Sequence, residues 1–232
     1  MGNQMQMRYL VDMVFCIDAT GSMGPVINTV KEHVLNFYQD VTKKMAEKNK
    51  KISQMRIRLI AFRDYLADKD QAMLATDFFR LPEQSKEFAD CVNGIKEQGG
   101  GDDPEDGLEA LAFAIKSKWC QDAGAKKRQV IVVWTDASTH EIGHGRSAAN
   151  YPVGMPQSFS ELTEWWGDRQ TPSPYISQNA KRLILFAPEE QDWNFIADNW
   201  DNIIHYPSVA GSGLREYDYN AIIDAIVNSI GG

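Results

Sequence analysis

Cysteine is scarce in this chain of 232 residues: only Cys16, Cys91 and Cys120 occur. Their odd number, wide spacing and apolar surroundings exclude a disulfide framework and imply reduced thiols in a cytoplasmic protein. No apolar run approaches the ~20 residues of a membrane span. Basic residues are in the minority, with 24 Lys and Arg against 32 Asp and Glu and a net charge of −8. No basic run concentrates what positive charge there is, so neither nucleic acid nor an anionic membrane is an expected partner. The opening MGNQMQMRYL lacks the charged start and apolar centre of a signal peptide. Gln6 stands where a myristoylation signal needs Ser or Thr. Repeats and low-complexity tracts are missing too, which excludes solenoid, collagen and disordered classes.

What is present is a series of short apolar runs. Leu10 to Ile17, Ile57 to Phe62, Val130 to Trp134, Leu183 to Ala187 and Ile203 to Tyr206 predict strands, several of them apolar on both faces as in a parallel sheet. Asp12 is the one misfit in the first run. Thr76 to Leu81 predicts a short antiparallel edge strand. Helical spacing starts at Pro25, spans Lys86 to Gln98, carries Leu108, Leu111, Ala112, Ile115 and Trp119, and closes the chain from Tyr219 to Ile230. Shorter helices are expected near Ser158 to Gly167 and over Gln191 to Trp200. Strands alternating with helices predict an α/β fold, with a doubly wound, mostly parallel central sheet flanked by helices and one short antiparallel edge strand. We expect a single domain over 1–232, its core about 9–230, with a long loop insertion at 137–180. The aromatics of that insertion, Phe159, Trp165, Trp166 and Tyr175, are expected to pack as a lid on the sheet rather than to anchor an interface.

Ligands on such sheets bind beyond the carboxyl ends of the strands. There the first run is followed by Asp18-Ala19-Thr20-Gly21-Ser22, one carboxylate and two hydroxyls on a tight turn. Oxygen-only donors select a hard cation, Mg²⁺ first, then Mn²⁺ or Ca²⁺. Acids recur in Gly99-Gly100-Gly101-Asp102-Asp103-Pro104-Glu105-Asp106 and after the third buried run, at Thr135-Asp136-Ala137. Pro favours the first helical position, so Pro104 predicts Asp103 as a helix N-cap, with Glu105 and Asp106 in the first turn and Asp102 as the acid left free for a metal.

These three segments resemble the metal-ion-dependent adhesion site (MIDAS) of von Willebrand factor A (VWA) domains. That site begins Asp-x-Ser-x-Ser; here Thr20 replaces the first Ser and keeps a hydroxyl. The resemblance covers roughly Tyr9 to Ile230. It implies a VWA/Rossmann-like fold and a metal held by Asp18, Thr20, Ser22, Asp102 and Asp136, directly or through water. Asp102 stands where the family often has Thr, leaving the site more anionic. The resemblance further implies a protein-binding module, working beside an AAA+ ATPase, a kinase or a phosphatase in an intracellular multiprotein system. No general base, nucleophile or cofactor site stands out in the sequence, so no enzyme activity is expected.

A competing motif, His140-Glu141-Ile142-Gly143-His144, matches the zinc-peptidase pattern His-Glu-x-x-His, with Glu161 or Glu164 available as a third ligand. Such a motif needs a helix, and Gly143, Gly145 and Ser147 speak against one. Asp18-Ala19-Thr20 is also similar to the start of haloacid-dehalogenase-type phosphatases, but Thr20 occupies the place of their acid/base Asp.

Overall fold

The computed structural model describes residues 7–99, 104–122 and 125–232. Seven strands form one sheet among these residues: β1 (Met7–Asp18), β2 (Lys50–Phe62), β3 (Met73–Ala75), β4 (Phe79–Leu81), β5 (Lys126–Trp134), β6 (Lys181–Pro188) and β7 (Ile203–Ser208). The order is β3-β2-β1-β5-β6-β7, with β4 also on β2. All pairings are parallel except those of β3 and β4, which run antiparallel to β2. The antiparallel edge therefore consists of the expected short strand and a second one just before it.

The helices are α1 (Gly24–His33), α2 (Phe37–Glu47), α3 (Tyr65–Asp68), α4 (Ser85–Asn93), α5 (Gly107–Ile115), α6 (Phe159–Trp166), α7 (Gln191–Asn199) and α8 (Tyr219–Gly231). They cover both faces of the sheet. Along β1, Val11, Met13, Phe15 and Ile17 pack toward α1, α2, α4 and α8, while Val14 and Cys16 pack toward α5, α6 and α7. This period-two division is why the run reads as continuously apolar: both faces are buried. Asp12 is accommodated by register, since Arg56 lies opposite it on β2. The guanidinium holds both carboxylate oxygens at 2.7 and 2.8 Å, and the amide of Cys120 donates to Oδ2.

Several helices end earlier than their spacing predicts. The amide of Asn36 turns to His33 O in a tight three-residue bond, and this splits the first helix into α1 and α2. Gly94 closes α4 by donating to Asp90 O and Cys91 O. Trp119 lies past the end of α5 but stays buried, its indole donating to Ile115 O at 2.9 Å. The start of α5 corrects the expectation drawn from Pro104. The helix begins at Gly107, so Glu105 and Asp106 precede it instead of forming its first turn. Glu105 pairs instead with Thr139 in an isolated parallel bridge, and Asp106 accepts the Tyr65 amide at 2.6 Å. These tertiary bonds outweigh the local preference of proline. Asp103, the expected cap, lies outside the described residues.

The long insertion packs as a lid. Leu162, Trp165, Trp166 and Ile176 are buried in the core on the α5 side, and Trp166 stacks on Trp200. The fully buried Lys181 fixes its end by donating to Trp166 O and Gly167 O and pairing with Asp201. The three cysteines are free thiols.

Candidate metal centre

β1 delivers Asp18 to the carboxyl edge at the centre of the sheet, opposite Phe62 of β2. The turn that follows it bends back on the carboxylate. Asp18 Oδ1 accepts the Thr20 amide at 3.0 Å and the Thr20 hydroxyl at 2.7 Å. Oδ2 accepts the Thr135 hydroxyl at 2.7 Å, from the residue just after β5. Thr20 Oγ1 lies 3.4 Å from Ser22 Oγ, and Ser22 donates to Asp136 Oδ1 at 2.9 Å. Asp18, Thr20, Ser22 and Asp136 thus form one connected cluster of oxygens drawn from the ends of two adjacent parallel strands. Asp102, the remaining expected ligand, lies outside the described residues.

Among the described residues, the cluster is short of positive charge. Asp18 is fully buried, and its partners are two hydroxyls and an amide. Burial, with the nearby Asp136 charge adding to it, pushes its carboxyl up to about 6 despite those hydrogen bonds. Glu105 is 2% exposed, and its Oε2 has no hydrogen-bond partner among the described residues. Burial and the charges of Asp18, Asp68 and Asp64 push its carboxyl up to about 9. Asp106 is raised to about 7 by burial and by Glu109. A rim of buried acids therefore stands beside the oxygen cluster, a setting that favours a cation.

Two supports were not visible in the sequence. Gly213 donates its amide to Asp136 Oδ2 at 2.7 Å with φ +67°, and a Cβ there would stand 2.3 Å from Ser22 O. Only glycine fits that approach, and the Gly211-Ser212-Gly213 spacing was its one sequence signal. The second support is Arg63, whose buried guanidinium donates to Ala19 O, Gln71 O, Lys96 O and Gln98 O. It ties the Asp18 turn to the chain leading into the Gly99 loop.

A family profile described as von Willebrand factor A domain matches residues 12–147, a span that takes in the Asp18 turn, the Asp102 loop and Asp136. The chain belongs to the von Willebrand factor A domain family. Among curated relatives, the VWA sequence is 26% identical over 149 residues to the alpha-protein kinase vwkA of Dictyostelium discoideum, covering 64% of this chain and 22% of the kinase. It is 26% identical over 164 residues to the putative ariadne-like RING finger protein R811 of Acanthamoeba polyphaga mimivirus, covering 69% of this chain and 14% of that protein. The VWA chain thus matches only a minor part of either relative. The pilus adhesin SpaC of Lactobacillus rhamnosus GG shares the fold, with a TM-score of 0.53 at 12% identity over 95% of this chain and 30% of the adhesin. An open conformation of SpaC gives a TM-score of 0.50 at 14% identity over the same shares.

In this VWA domain the His-Glu-x-x-His stretch forms no α-helix; a single tight turn covers His144–Ser147. His140 is half-buried and bonds Asp64 at 2.7 Å, whereas Glu141 is exposed and lines a groove with Asp192 on the α7 side. No described helix is long and apolar enough to cross a membrane.

Proposed function

We propose that this VWA domain is a protein-binding module whose carboxyl-edge site holds a divalent cation. The observation that supports this most directly is the joining of Asp18, Thr20, Ser22 and Asp136 into one oxygen cluster around a buried, uncompensated carboxylate. All four offer oxygen donors, so the site suits Mg²⁺, with Mn²⁺ or Ca²⁺ as substitutes. Asp102 would supply a further carboxylate from the second loop. When bound, the ion supplies positive charge and an open position for an oxygen of the partner. The chain's own residues do the rest. The Thr135 hydroxyl orients Asp18, Gly213 N–H orients Asp136, and Arg63 braces the turn after Asp18.

Three carboxylates around a dication leave the site formally anionic, so a partner acid contributes less than the shape of the surrounding edge. The domain works without catalysis, in a cytoplasmic multiprotein system, and its partner is an AAA+ ATPase, kinase or phosphatase of that system. The curated relatives, a kinase and a RING finger protein, support such a setting, as the matching segment forms a minor part of much longer chains there. Calorimetric titration of metal-stripped protein with Mg²⁺ or Mn²⁺ tests the site. The double variant Asp18→Ala, Ser22→Ala is expected to lose binding while its circular dichroism stays that of the wild type. Unchanged affinity in that variant would place the cation elsewhere.

A further inference from the structure

A second set of metal donors lies outside the oxygen cluster. Asp64 follows β2 and caps α3, where its Oδ1 accepts the amides of Leu66 and Ala67. Those bonds fix the carboxylate and leave Oδ2 facing His140 Nε2 at 2.7 Å. The His144 ring stacks on His140, with centroids 3.8 Å apart and planes 8° from parallel. One donor atom each from Asp64, His140 and His144 lies within 4.8 Å of the other two. His144 is exposed, and no side-chain hydrogen bond engages its ring among the described residues.

We propose that Asp64, His140 and His144 form a zinc site, chemically distinct from the oxygen-only site at Asp18. Two imidazole nitrogens and one carboxylate oxygen are a borderline donor set that takes Zn²⁺ in preference to Mg²⁺. Three protein ligands leave a fourth position for water or for a partner's side chain. Stacked rings cannot both aim nitrogens at one ion, so the exposed His144 ring turns off the stack when metal binds, while His140 and Asp64 already meet. The outer shell favours a dication. His140 N donates to Glu105 O, which sets the loop beside buried acids, and Asp106 Oδ1 and Glu105 Oε2 are without hydrogen-bond partners among the described residues. Glu141 is directed to the other side, so the site lacks the water-activating Glu of a peptidase and is not a hydrolytic centre. A zinc ion here would clamp the β2–α3 turn to the loop after β5, on the flank of the Asp18 site.

The test is zinc titration of the metal-stripped full chain against a competing chromophoric chelator, with Co²⁺ as a spectroscopic substitute. We expect one zinc equivalent that survives Asp18→Ala. His144→Ala should weaken it by about 100-fold or more, since even outer-shell changes cost about 10–100-fold. The visible Co²⁺ bands should disappear with the same variant. His144→Ala removes no side-chain hydrogen bond, and circular dichroism checks its fold; His140→Ala should give the same loss. Two equivalents in the wild type, falling to one in either Asp18→Ala or His144→Ala, would also support the site. No zinc held against the chelator, or zinc lost in Asp18→Ala yet retained in His144→Ala, would overturn it. The Mg²⁺ response of Asp18→Ala reports on the oxygen site alone, so the two readings fail separately.

Discussion

The central strand carries two buried aspartates, and they are treated in opposite ways. Asp12, 3% exposed, receives a guanidinium that binds both oxygens from the facing position on β2. Asp18, six positions on and fully buried, receives hydroxyls and an amide, and its neighbouring charge is another acid. A buried carboxylate costs several kcal/mol unless a cation accompanies it. At Asp12 the chain provides that cation. At Asp18 it provides neutral donors that shape the carboxylate without neutralising it, which is the arrangement expected where the cation comes from solution.

The comparison breaks most visibly on the structural side. Arg56→Met should strand Asp12 and lower stability by about 2–3 kcal/mol, less than the ~3–5 of a fully buried pair because Arg56 is partly exposed. Urea denaturation reads this as a lower midpoint at unchanged slope. Asp18→Asn should behave in the reverse sense. It removes an uncompensated charge, so metal-free stability at pH 8 holds or rises, while Mg²⁺ affinity falls by about 100-fold or more in calorimetry. Equal destabilisation by Arg56→Met and Asp18→Asn would erase the contrast.

Acidity sharpens it further. The carboxyls of Asp18, Asp106 and Glu105 are raised to about 6, 7 and 9. The folded protein therefore keeps protons that the unfolded chain has released. That stabilisation is full below the unfolded values near ~4 and is lost as pH rises through the folded ones. Melting of metal-free protein should fall steadily from pH 5 to pH 9, by about 2–4 °C for each ~1 kcal/mol in a chain of this size. Saturating Mg²⁺ should restore more at pH 8 than at pH 5. A flat profile without metal would show that the acids are matched by groups other than a solution cation. The smallest effect is expected at Thr20. Thr20→Ser keeps the hydroxyl and should leave Mg²⁺ affinity within about threefold, whereas Thr20→Val, which loses the bond to Asp18, should cost about tenfold.

Most of the sheet was legible because β1, β5 and β6 are apolar on both faces, a pattern few other elements produce. Asp18, Thr20, Ser22 and Asp136 were legible because each stands just beyond such a run. What was not legible depends on partners far away in the chain. Asp12 has no explanation until Arg56, 44 positions on, is set opposite it by strand register. The start of α5 was misplaced because Pro104 carries a strong local signal, while the bonds that decide the matter come from Tyr65, Ser138 and Thr139. Glu105 was expected in a helical first turn and Asp64 carried no signal, since a single sequence gives no sign that a charged residue is buried. Gly213 was passed over because its constraint, the approach of Ser22 O, spans the whole chain.

β1 has one further property. It pairs on one side with β2 over its full length and on the other with β5, so its amides are enclosed by both neighbours. Hydrogens in such a strand exchange with solvent only when the whole sheet opens, whereas edge strands and loops exchange through smaller, local openings. Asp18 is the last residue of that strand. The anchor of the oxygen cluster therefore stands at the end of the strand expected to exchange most slowly. Partial unfolding that frees the lid or the β3–β4 edge should leave Asp18 in place, whereas Thr20, Ser22 and Asp136, on the turns beyond β1 and β5, open more readily.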